Sequence, residues 1–146
     1  MNYMTEDSEL FLVDTNILVY ASEKDEGAKI QKAKELINRC WKGEITLAIS
    51  SQNLGEFVHV SVKKAKLNFD EAKVFAGFIA EFHGFQKINY NAETVISAIG
   101  IASEFKTSFW DSLLAATMRE NGIFNIYTEN AKDFKLPWIK AVNPFT

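Results

Sequence analysis

The chain has 146 residues, 47% of them apolar and 24% charged, with a formal net charge of −3. That is enough for one domain with its own hydrophobic core, expected over 1–146, and its apolar runs are too short to span a bilayer. A single cysteine, Cys40, excludes an internal disulfide framework and a cysteine-rich zinc site, and the acidic balance argues against holding nucleic acid by bulk positive charge. No basic stretch followed by an apolar one opens the sequence, so a cytoplasmic chain without membrane contact is expected.

Leu10 to Val13 is a short apolar run of the kind found in central strands of parallel sheets, and Asp14-Thr15-Asn16 follows at once. Gly27 to Trp41 has helical spacing, with Ala28, Ala33, Leu36, Ile37 and Cys40 as the inner stripe, Cys40 a plain helix residue, and Gly43 as the stop. Ile45 to Ile49 reads as a second strand, and Ser50-Ser51 opens a helix to about Lys64. Asn68-Phe69-Asp70-Glu71 begins a helix carrying Ala72, Phe75, Ala76, Phe78, Ile79 and Phe82, ended by Gly84. Phe85 to Ile88 is a third strand, and Asn91 to Phe105 a helix with Val95, Ile96, Ile99 and Ala102. Ser108 precedes a helix from Phe109 that stops at Asn121-Gly122, a strand follows over Phe124 to Thr128, and a last one lies near Ala141 to Asn143. Strands alternating with helices predict an α/β fold with a central, mostly parallel sheet flanked by helices. The strand order is not readable.

Several acids stand in apolar surroundings. Asp14 falls where open α/β sheets place their ligand crevice, and it is equally a good cap for the next helix. Glu56 sits early in the helix after the second strand, as a site acid or as a surface acid favoured by the helix dipole. Asp111, among Phe109, Trp110, Leu113 and Leu114, opens a helix apolar almost all round, so its carboxylate is expected to be buried with a partner unless capping accounts for it. Thr128, Asn130 and Asp133 either build a turn or complete an oxygen-rich cluster. All lie at ends of predicted strands or in first helical turns, so they can converge on one sheet edge. Clustered carboxylates call for cations, and an all-oxygen set suits Mg²⁺ or Mn²⁺. His59 and His83 read as neither ligand nor base. Lys29, Lys32, Lys34 and Arg39, and then Lys63, Lys64 and Lys66, form modest basic clusters, read as solvated helix faces or as contacts to a phosphate backbone. No glycine-rich phosphate loop or Ser/His/Asp motif is present.

Four stretches together resemble the PIN-domain family, in particular the small VapC-type toxin ribonucleases of prokaryotic toxin–antitoxin pairs. They are Val13-Asp14-Thr15-Asn16-Ile17-Leu18, Ser50 to Phe57 with Glu56, Trp110-Asp111-Ser112-Leu113-Leu114-Ala115-Ala116, and Thr128-Glu129-Asn130-Ala131-Lys132-Asp133-Phe134. The resemblance runs from about Leu10 to Asn143. It implies a PIN-like fold and an endoribonuclease in which Asp14, Glu56 and Asp111 are catalytic and hold Mg²⁺ or Mn²⁺, with Asn130 at the fourth ligand position. Asn16 and Thr128 are then supporting residues, while Asp133 caps or orients the loop. Many relatives carry an acid where Asn130 stands.

On that resemblance the expected chemistry is hydrolysis of RNA phosphodiester bonds by metal-activated water, leaving a 5′-phosphate. It further implies a homodimer and a small antitoxin partner whose tail occupies the acidic groove. Phe109 and Trp110 either stack on bases or line that groove, or pack in the core. Two rival readings use the same residues: a nuclease or phosphoesterase with another substrate, and a degenerate PIN domain that binds RNA or a protein without cleavage, favoured by Asn130.

Overall fold

The computed structural model describes residues 9–64 and 66–146, so the unit expected over 1–146 reaches beyond the described residues at 1–8 and at Ala65. In chain order the elements are β1 (Phe11–Val13), α1 (Thr15–Ser22), α2 (Ala28–Trp41), β2 (Leu47–Ser50), α3 (Ser51–Lys63), α4 (Phe69–Glu81), β3 (Phe85–Ile88), α5 (Ala92–Phe105), α6 (Phe109–Glu120), β4 (Asn125–Tyr127), a 3-10 turn (Ala131–Asp133) and β5 (Lys140–Val142). The five strands form one sheet in the order β3-β2-β1-β4-β5. Every pairing in it is parallel, not merely most of them.

Strand alternation sorts the core into two clusters, one on each face of the sheet. Val13, Leu47, Ile49 and Phe85 point to the side covered by α1 to α4, where Ile17, Leu18, Phe57 and Ile79 pack on them. Leu12, Ala48, Ile88 and Ile126 point to the other side, against Ala98, Ile101, Leu113 and Met118 of α5 and α6. Successive strand residues face opposite ways, so a strand buried on both faces must be apolar throughout. Leu12 and Val13 are both fully buried, which is why the apolar run is continuous.

Two stripes differ from the periodic expectation. In α2 the buried set is Ile30, Ala33, Leu36, Ile37 and Cys40, while Ala28, the first helical residue, is exposed and Ile30 is the first to reach the core. In α5 the buried residues are Thr94, Ala98 and Ile101, whereas Ile96 and Ile99 are 68% and 53% exposed. That helix has more apolar positions than one face against α6 can cover. Phe75 of α4 packs at a tilt on Phe57, ring centroids 5.0 Å apart, and Phe78 and Phe82 gather around the half-exposed Trp41 at 4.7 and 4.4 Å.

Since all strands are parallel, their carboxyl ends share one edge. There β1 hands over to Asp14, β2 ends at Ser50 and β4 ends just before Thr128. Among the described residues no helix is long and apolar enough to cross a membrane.

Candidate functional site

Asp14 sits where β1 ends and α1 begins. Its backbone N–H donates to the Tyr127 carbonyl at 3.0 Å, which extends the β1–β4 ladder by one bond and fixes where the side chain starts. The carboxylate caps α1, taking the Thr15 N–H on Oδ1 at 2.8 Å. The same oxygen accepts from Asn53 Nδ2 at 3.5 Å, and Oδ2 accepts from the Thr128 hydroxyl at 2.7 Å. A carboxylate offers about four acceptor positions, so these bonds leave it one to spend outward. Burial pushes the Asp14 pKa up; the Thr128 and Thr15 hydrogen bonds oppose that, and the charge on Asp111 adds to it. Capping and a place in the site are thus simultaneous roles.

Glu56 reaches the same place from α3. Ser50 caps that helix through the Asn53 N–H at 2.9 Å, and its hydroxyl donates back to Asn53 Oδ1 at 2.7 Å. The Asn53 amide thereby faces β1 and also donates to Thr15 Oγ1 at 3.1 Å. Thr15 in turn donates to Glu56 Oε1 at 3.1 Å. A continuous chain of hydrogen bonds therefore links Ser50, Asn53, Thr15 and Glu56, with Asp14 attached. Glu56 is partly buried, and burial raises its pKa; the Thr15 bond lowers it, and Asp14 and Asp111 push it up again.

Asp111 departs from expectation. It stands exposed in the first turn of α6, its N–H bonded to the capping Ser108 hydroxyl at 3.1 Å, while burial begins only at Ser112. The apolar face of α6 enters the core one residue later than the sequence pattern suggests, so the Asp111 carboxylate needs no internal partner. Phe109 is partly buried in the core and Trp110 is 58% exposed; neither lines the cavity described next.

Asp14, Glu56, Asp111, Asn16 and Asn130 line one open cavity of about 720 Å³. Fully buried Thr128 lies behind it, donating to Asp14 and accepting the Asn130 N–H at 3.1 Å. Asn16 Oδ1 takes the Glu129 N–H at 3.4 Å, tying α1 to the loop after β4. Asp133, exposed at the end of the 3-10 turn, is not among the residues lining the cavity.

Several lining or supporting residues carried no sequence signal of their own. Tyr20 donates to both Glu129 oxygens at 3.0 and 3.1 Å, and Lys29 pairs with the same carboxylate. Gln52 is buried; its Nε2 donates to the Trp110 carbonyl at 3.0 Å, and its Oε1 has no hydrogen-bond partner among the described residues. Asn53 was detectable, since Ser50 and Asn53 form a capping pair one turn before Glu56. His59, read from sequence as neither ligand nor base, lies on the cavity wall with Lys64 and Lys66.

The donors fit a hard divalent cation: three carboxylates and the Asn130 amide, all oxygen, with two acids whose pKa values are raised and which a cation would relieve. Among the described residues no three acidic, imidazole or thiol side chains are drawn close enough to enclose an ion. The chemistry of a metal site is present without its closure.

A family model described as PIN domain matches residues 11–136. No curated protein sequence matches the chain. Among solved structures, VapC20 of Mycobacterium tuberculosis, a sarcin-ricin loop cleaving toxin, is 23% identical, with 81% of this chain and 88% of that one covered and a TM-score of 0.64. A toxin–antitoxin complex from Klebsiella pneumoniae is 21% identical over 92% and 97% of the two chains, TM-score 0.63. VapBC2 from Rickettsia felis, bound to a DNA fragment from its promoter, is 21% identical over 92% and 98%, TM-score 0.65.

Proposed function

Because the chain belongs to the PIN domain family, we propose that it is a divalent-metal-dependent endoribonuclease, the toxin of a toxin–antitoxin pair. The observation that carries this reading is the meeting of Asp14, Glu56, Asp111 and Asn130, from four distant segments, on one cavity at the carboxyl edge of a parallel sheet. The similarity to solved toxin–antitoxin complexes supports a protein inhibitor as partner and a fold suited to that role. A homodimer and a cytoplasmic setting belong to the same reading.

Asp14, Glu56 and Asp111 would hold Mg²⁺ or Mn²⁺, with Asn130 as a neutral fourth donor. The bound cation would supply activation of water and neutralisation of charge developing at phosphorus. The chain's own part is to present the carboxylates in a fixed array. Thr15, Asn53 and Thr128 hold Asp14, and Thr15 holds Glu56, so little reorganisation is needed when charge develops. Water adds to phosphorus, the 3′-oxygen leaves with a proton, and a 5′-phosphate remains on the other fragment.

The test is RNA cleavage in Mg²⁺ or Mn²⁺ by wild type, Asp14→Asn and Asp111→Asn. Both variants should lose at least two orders of magnitude in rate, the scale typical of removing one charge-stabilising group. Equal activity in all three sinks the proposal. Asn130, in place of an acid, favours a second reading, a degenerate domain that binds without cutting. Calorimetry separates the two, because that domain would show negligible Mn²⁺ binding.

A further inference from the structure

The cavity is longer than the cluster of acids, and beyond it the lining is mixed in charge, with Lys64 and Lys66 as well as Glu23 and Glu129. Gln52, Glu56, His59, Val60 and Lys64 all line it. Gln52, Glu56, Val60 and Lys64 are four apart, with His59 beside them, so they form one stripe along α3 and its last turn. The acids stand at the sheet end of this stripe. Eight residues at 1.5 Å each put Lys64 about 12 Å farther along the helix axis than Glu56.

The lysines here are not equivalent. Lys66 is paired with Glu23 at 2.9 Å, so its charge is already answered. Lys64 is exposed and takes part in none of the ion pairs among the described residues. Lys63, its neighbour in sequence, points about 100° away around the helix and lines an adjoining cleft with Val58, Val62 and Phe69, which meets the first at Gly55 and His59. The net charge is −3, so attraction for a polyanion must come from such local placement rather than from the whole molecule.

We propose that the α3 stripe from Glu56 past His59 to Lys64 is a track for the backbone of single-stranded RNA, with Lys64 holding a phosphate that flanks the one at the acids. The inference deepens the ribonuclease reading and rests on it for the identity of the polymer. An ammonium that no carboxylate among the described residues pairs with suits a phosphate as a point charge, and a groove that follows a backbone is how single strands are held without sequence preference. A flanking contact of this kind contributes to binding while making none with the reacting atoms.

The test uses full-length protein carrying Asp111→Asn, an exposed position, so that RNA is bound and not cut. Fluorescence anisotropy with a labelled 12-nucleotide single-stranded RNA is followed as salt is varied, with Lys64→Gln and Lys63→Gln added separately. Losing one single-strand phosphate contact should reduce the slope of log K against log salt by about 0.7, and so weaken binding about fivefold at 0.1 M salt. Lys64→Gln should do this; Lys63→Gln should leave both unchanged. Equal losses from the two lysines would mean bulk charge and overturn the track, as would an unaltered slope with Lys64→Gln. The outcome is separable from the function itself. Wild type that cleaves RNA without a Lys64/Lys63 contrast refutes only the track, whereas that contrast in a protein that cuts no RNA refutes only the nuclease.

Discussion

Asp14 caps α1 with the same oxygen that receives the Asn53 amide, and burial raises its pKa. A folded-state pKa above the unfolded one means that the folded chain holds the proton more tightly. That stabilisation is complete below the unfolded value and is lost as pH rises through the folded one. At neutral pH the acid therefore costs stability, and Asp14→Asn should raise Tm by about 3 °C, even though on the proposed reading it slows cleavage. The gain should shrink as the pH is lowered toward 4. Thermal melts of both proteins across pH 4 to 8 check this, and a variant less stable at pH 7 would contradict it. Thr128 is fully buried, so Thr128→Val leaves Asp14 short of a donor and the Asn130 N–H short of an acceptor. It should cost about 1–3 kcal/mol in urea unfolding.

At the scale of elements, Phe57 joins α3 to the sheet and to Phe75 of α4, and it is fully buried. Phe57→Ala should cost about 3–5 kcal/mol and disturb Glu56 with it. Lys106 closes α5 with φ of +57°, a left-handed conformation that glycine adopts freely. Lys106→Gly should change stability by less than about 1 kcal/mol, in the stabilising direction, as read by urea unfolding.

The same scale shows what the sequence displayed. Leu10 to Val13 was legible because a strand covered on both faces has no polar residue to offer, and Asp14 stood out against it. Glu56 could be placed because a capping serine opened its helix. The exposure of Asp111 was not legible, since an apolar helix gives no sign of which turn first enters the core. Ile96 and Ile99 failed for the opposite reason: periodicity marks them as inward, but only the neighbouring helix decides how wide a face is covered. Gln52, Tyr20 and Glu129 act through contacts across the fold, and such contacts leave no periodic trace. Strand order is set by the same long-range packing.

The molecule as a whole holds two raised-pKa acids at one edge of a sheet that has an apolar cluster on each face. A cation bound there adds stability only to the folded state. At a Mg²⁺ or Mn²⁺ concentration of 100 times Kd, wild type should gain about 2.7 kcal/mol. Asp14→Asn should melt higher than wild type without metal yet show little or no response to it. Melting curves with and without Mn²⁺ give both numbers, and an equal metal response in the two proteins would place the ion elsewhere.

The bonds that assemble the site span long stretches of chain: 41 residues from Thr15 to Glu56, 109 from Tyr20 to Glu129, and 114 from Asp14 to Thr128. Contacts of such range form late, because each must first close a large loop. A chain emerging from the ribosome through its first hundred residues has three of its strands but neither Asp111 nor Thr128. Asp14 then lies at an open sheet edge with no β4 beside it. The cavity is thus assembled after the first three strands, and Asp14 is enclosed only once β4 and Thr128 have been added beside it.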